Sequence, residues 1–84
     1  MNPMTLDALK VALLAAGAKE ESTAASLHAE LEHFLDRSLH GDDLDAALAE
    51  LAAAGLVVLR ETRFFATDAG RAVMREHWEA FFPA

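Results

Sequence analysis

The feature that most constrains this chain is the stretch Asp42–Gly55 with Leu56-Val57-Val58-Leu59 directly behind it. Leu44, Leu48 and Leu51 recur at i, i+4 and i+7 with Ala47 beside them, which makes one apolar face of a helix over residues 42–54. Asp42 is a good N-cap, and Asp43 and Asp45 favour the positive end of the helix dipole. Gly55 follows the last turn and readily takes the left-handed conformation that ends a helix. The β-prone residues after it oblige the chain to change from helix to strand at that point. Val57–Arg60 and Arg63–Ala66 read as two strands of a hairpin with Glu61-Thr62 at its tip. The tip lacks the Asn-Gly or Asp-Gly of a tight primed turn, so a loop wider than two residues is expected. Thr67 then caps a last helix over 68–81.

Two helices are expected ahead of this unit. Asn2-Pro3 reads as N-cap and N1 of a helix over 3–16, with Thr5 as a later candidate cap. Leu6, Leu9, Leu13 and Ala16 form its stripe and Gly17 ends it; Val11 and Leu14 lie off the stripe and are expected to pack on a second neighbour. Ser22 is the expected cap of a helix over 22–36, with Ala24, Leu27, Leu31, Phe34 and Leu35 on its buried face. The 84 residues are enough for one domain, here 1–84, and too few for two. The fold class is mainly α with a minor β part, in the order α-α-α-β-β-α.

The residues Leu51-Ala52-Ala53-Ala54-Gly55-Leu56-Val57, followed by Phe64-Phe65-Ala66-Thr67-Asp68-Ala69-Gly70-Arg71, resemble a winged helix-turn-helix. They look most like the segment shared by MarR-like and PadR-like bacterial regulators. There "L-x-x-x-G-L-[IV]" ends the recognition helix and "Y-x-L-T-x-x-G-R" leads from the wing, here about 56–66, into the next helix. Phe64 stands at the aromatic position, Thr67, Gly70 and Arg71 match, and Ala66 replaces the usual leucine. The match covers residues 44–76. It implies a single winged-helix domain and a role in transcription regulation, although winged helices also serve as protein-interaction modules.

Charge bears on that choice. The formal net charge is −7, and residues 1–59 hold three Lys/Arg against ten Asp/Glu while residues 60–84 hold four of each. With Leu44, Leu48 and Leu51 inward, the third helix turns out Asp42, Asp45, Ala46, Ala49, Glu50 and Ala53. None can donate to a base edge in the major groove, and the carboxylates would face phosphates. Arg60 and Arg63 fit the family's phosphate contacts at the wing, and Arg71, Arg75 or Lys10 could assist. Two arginines are few beside the roughly 6–10 phosphate contacts of a strong DNA binder. Charge thus favours a protein-interaction or regulatory adaptor over a DNA-binding regulator.

On the last helix, Ala69, Gly70, Val73, Met74, His77, Trp78, Ala80 and Phe81 fill an arc of roughly 180°, wider than the ~100° stripe a surface helix needs. Val73 and Ala80 already supply a core stripe. Met74, Trp78, Phe81 and Phe82 are therefore the expected interface with a second copy or a protein partner. The competing reading is that these aromatics cover the domain's own core.

The remaining chemistry is sparse. His28, His33 and His40 lie near Glu30, Glu32 and Asp36, but His28 and His33 are five apart and point to different helix faces, so no zinc site is expected. His77 lies in an apolar arc and reads as a structural histidine. Asp42-Asp43-Leu44-Asp45 lacks the spacing of a calcium loop. No nucleophile elbow or phosphate loop surrounds Ser22, Ser26 or Ser38, and an enzyme is not expected. No cofactor is implied. The lack of cysteine suits a reducing cytoplasm. No stretch approaches the ~20 apolar residues of a membrane span, and the run Leu6–Ala16, broken by Asp7 and Lys10, reads as a mature helix.

Overall fold

The computed structural model describes residues 6–83. The elements follow in the order α1 (Ala8–Lys19), β1 (Ser22–Thr23), α2 (Ala24–Leu35), α3 (Gly41–Ala53), β2 (Val57–Arg60), β3 (Arg63–Ala66) and α4 (Asp68–Phe81). The three strands form an antiparallel sheet ordered β1-β3-β2. Three helices, a hairpin wing and a following helix make this a winged-helix domain. No helix among the described residues is long and apolar enough to cross a membrane.

The central element is α1. Its Leu9, Val11, Ala12, Leu13 and Leu14 are all buried, with Lys10 among them, so neighbours cover most of the circumference of this part of the helix. It packs on α4, β3, α3 and α2. Val11 and Leu14, off the main stripe, are fully buried, and Leu14 belongs to the core cluster. Asp7 is the N-cap, its carboxylate accepting from the Lys10 amide at 2.9 Å. The caps expected at Asn2 and Thr5 lie outside the described residues. Gly17 does not end the helix. It is buried inside α1, where a Cβ would sit 3.0 Å from the Ala66 amide nitrogen and 3.1 Å from the Phe64 ring, so the glycine lets β3 approach closely. Phe64, fully buried, fills the space this contact creates.

The expected start of the second helix is also corrected. Ser22 and Thr23 pair with Phe64 and Arg63 as a short third strand, and Thr23, not Ser22, caps α2 by accepting from the Ser26 amide at 3.1 Å. Two residues carry too little periodicity to read as a strand; only the edge of β3 brings it into being. The helix ends at Asp36, whose φ of 55° places it in the left-handed region that aspartate tolerates. Phe34, expected in the core, is 52% exposed.

Helix α3 begins one residue early. His40 is its N-cap, and Asp43 reaches back to accept from the His40 amide at 3.1 Å; Asp42 lies in the first turn instead of capping. Leu44, Ala47, Leu48 and Leu51 are buried as their spacing requires. At the other end Gly55 has φ 77°. The Leu56 amide donates to the Leu51 carbonyl at 2.9 Å and the Gly55 amide to Ala52 at 3.0 Å, the paired bonds of a Schellman C-cap. The hairpin pairs Arg60 with Arg63, so the loop is only Glu61-Thr62, tighter than expected. Glu61 takes the positive φ of 57° that a two-residue turn requires of a non-glycine. Thr67 caps α4 as expected, accepting from the Gly70 amide at 3.1 Å.

Candidate interaction surfaces

Alternation along the hairpin sorts its side chains onto two faces. Phe64, Val57 and Ala66 are buried on the core face, with Leu59 opposite Phe64. Arg60, Arg63, Val58 and Phe65 share the other face. There the Arg60 guanidinium lies 5.7 Å from the Phe65 ring centroid, and Arg63 Nη1 lies 3.9 Å from Glu21 Oε2. Both arginines are exposed. At 67% and 41% side-chain exposure, the Arg63–Glu21 pair is solvent-screened and holds Arg63 only loosely.

The outward face of α3 consists of Asp42, Asp45, Ala46, Ala49, Glu50 and Ala53. All six are exposed. Glu50 accepts a salt bridge from Lys10 Nζ at 2.6 Å; the lysine is 5% exposed and joins α1 to α3. A lysine within the run Leu6–Ala16 was the sequence signal for this anchor. Its burial follows from α1 packing against α3 on this side, and the stem packs while the ammonium reaches Glu50.

The third surface is aromatic. Phe34 on α2 and Trp78 and Phe82 at the end of α4 form one cluster, with centroid separations of 6.2 Å (Phe34–Trp78), 4.9 Å (Phe34–Phe82) and 4.5 Å (Trp78–Phe82). Met74, Trp78, Phe81 and Phe82 are half-buried, and Val73, Met74 and Phe82 touch the core. The expected core stripe through Ala80 is corrected: Ala80 is exposed, and Gly70 is the one fully buried residue of α4. Trp78 stands between two open apolar recesses over α1. One, of about 350 Å³, is lined by Ala12, Ala16, Leu31 and Phe34; the other, of about 510 Å³, by Ala15, Ala18 and Met74. Sequence reasoning missed Phe34 here because its spacing from Leu27 and Leu31 is that of a core position.

His28 serves local structure. His28 Nε2 is 2.6 Å from the Leu39 carbonyl and 3.7 Å from Glu32, and Glu32 accepts from the Leu39 amide at 2.8 Å. Together they fasten the turn between α2 and α3. Among the described residues no group of three His, Asp or Glu side chains could hold a metal ion.

No family model and no curated protein matches the sequence. Among solved structures, the chain is similar to hsRosR in the structure of the hsRosR-S4 complex, with a TM-score of 0.77 and 21% identity over 89% of this chain and 70% of that one. The shared fold is the winged helix. The likeness at this identity extends to the fold alone, and it does not single out the MarR-like or PadR-like branch.

Proposed function

We propose that this domain is a regulatory winged helix that works through protein contacts, with α3 facing a protein surface and α4 pairing with a second copy or a stable partner through Met74, Trp78, Phe81 and Phe82. The outward face of α3 carries the reading: three carboxylates, of which Glu50 is paired with Lys10, and three alanines offer no donor to a base edge, and Asp42 and Asp45 would repel phosphate. A flat alanine surface suits packing instead. The aromatic cluster supports the second half, because large side chains left half-covered gain from a partner. Burying the rest of each would contribute roughly half of the ~1.5–3 kcal/mol of a full burial. The solved structure that the chain resembles is a complex, which is as compatible with a DNA partner as with a protein one and does not choose between the two readings.

A second reading rests on Arg60 and Arg63, exposed at the wing. In it the domain contacts DNA mainly through the wing, with α3 tilted away from the groove. Such binding would be weak and would weaken further with salt, at a log–log slope of about −0.9 per phosphate neutralised. Anisotropy with random and upstream duplexes at ~150 mM salt separates the readings, that being near physiological ionic strength. No binding is expected; tight sequence-specific binding that survives Arg60→Ala with Arg63→Ala would sink both. Light scattering tests the pairing: a dimer weakened by Trp78→Ala is expected, and a strict monomer at high micromolar concentration removes self-association.

A further inference from the structure

A groove of about 360 Å³ opens between the start of α2, the outer side of α3 and the wing tip. Its floor is apolar: Ala24, Ala25, Leu48 and Leu59, the last 41% exposed. Its charged lining residues are Asp45 on α3 and Glu61 on the wing turn. Among the described residues neither carboxylate forms an ion pair. The wing's cations do not neutralise them, since Arg60 and Arg63 lie on the opposite face of the hairpin from Leu59. The amino terminus of α2 adds about half a positive charge, against two full negative ones.

We infer that this groove docks a cationic, leucine-bearing segment of a protein partner, an apolar side chain resting on Leu48 and Leu59 while a neighbouring lysine or arginine meets Asp45 and Glu61. The inference rests on the reading of α3 as protein-facing and names the chemistry it faces. Complementary charge selects the occupant. A phosphate backbone laid between α3 and the wing would meet both carboxylates, and an acidic peptide would meet the same repulsion. A purely apolar segment would leave the two carboxylates desolvated without partners, which is costly.

The test is an NMR titration of the ¹⁵N-labelled full chain with the probe acetyl-Leu-Arg-Leu-Arg-Leu-amide, with its glutamate-for-arginine counterpart, and with a random DNA duplex. The arginine peptide is expected to shift the amides of Asp45, Leu48, Leu59 and Glu61, and the glutamate peptide to leave them in place. Asp45→Asn with Glu61→Gln, both at exposed positions, should weaken binding about tenfold, the sum of two exposed ion pairs. Binding elsewhere, or binding indifferent to the double substitution, overturns the docking site. Silence with both the peptides and DNA also overturns it while leaving the protein-facing reading of α3 intact. Shifts at the same residues caused by DNA overturn both.

Discussion

Replacing Gly70 by alanine should destabilise the domain, although helix propensity alone argues the opposite. Gly70 lies in the first turn of α4, a helical position where alanine is favoured over glycine by about 1 kcal/mol. Steric crowding outweighs that gain. A Cβ at Gly70 would lie 2.0 Å from the Leu56 carbonyl oxygen, 3.0 Å from the Leu56 carbonyl carbon and 3.1 Å from Leu14 Cδ2. Ordinary contact would require the turn to retreat by about 1 Å or more. The carbonyl is not free to move, because it accepts the Thr67 amide at 2.9 Å and belongs to the chain leaving the Schellman cap. Overpacking of this kind costs about 1–3 kcal/mol, and losing the Thr67 bond costs about 1 more. After the propensity gain, the net loss is about 1–3 kcal/mol. For a domain of this size that lowers Tm by roughly 5–20 °C. Thermal unfolding followed by circular dichroism measures it. Gly41→Ala is the matched control: it sits at the start of α3 with no atom within 4 Å of its Cβ, and should leave Tm unchanged or slightly raised. A Gly70→Ala protein as stable as the parent would show that α4 does not press on Leu56 as described. The glycine of the "T-x-x-G-R" pattern would then lack its physical reason.

Two further substitutions act on neighbouring contacts. Thr67→Ala removes both the cap to the Gly70 amide and the hydroxyl donated to the Gly55 carbonyl at 2.8 Å, and should cost about 1–2 kcal/mol in urea unfolding. Phe34→Ala should cost well under the ~3–5 kcal/mol of a core phenylalanine because half of the residue is in water, yet should weaken self-association in light scattering; a core-sized loss of stability would return Phe34 to the interior.

The parts of this fold that could be read in the sequence are those in which local chemistry and tertiary packing ask for the same residue. Leu44, Leu48 and Leu51 mark the buried face of α3, Gly55 its end and Thr67 the start of α4, and each holds that place in three dimensions. The misreadings fall where a distant contact overrides a local preference. Gly17 carries the ordinary signal of a helix end, but Phe64 and Ala66 use its missing side chain to close on α1. Ser22 is a good cap by composition, yet β3 recruits it and Thr23 into the sheet. Phe34 has core spacing, but α2 lies so that this position emerges beside Trp78 and Phe82. The outward face of α3 was legible because it depends only on which side the leucines take.

The same independence shapes what the domain can bind. The winged-helix frame is held by α1 and Phe64 from the inside, and none of the six outward residues of α3 contributes to the buried core. The frame therefore places α3 and the wing side by side whatever chemistry they carry. What meets them is decided by charge: Glu50 is tied to Lys10, while Asp45 and Glu61 line the groove without an ion-pair partner among the described residues. The four arginines beyond residue 59 are spread over the far face of the hairpin and the outer side of α4, and none lines that groove. A polyanion entering the groove would thus meet its carboxylates and none of these arginines, which is why the proposed occupant of the surface beside α3 is a positively charged protein segment.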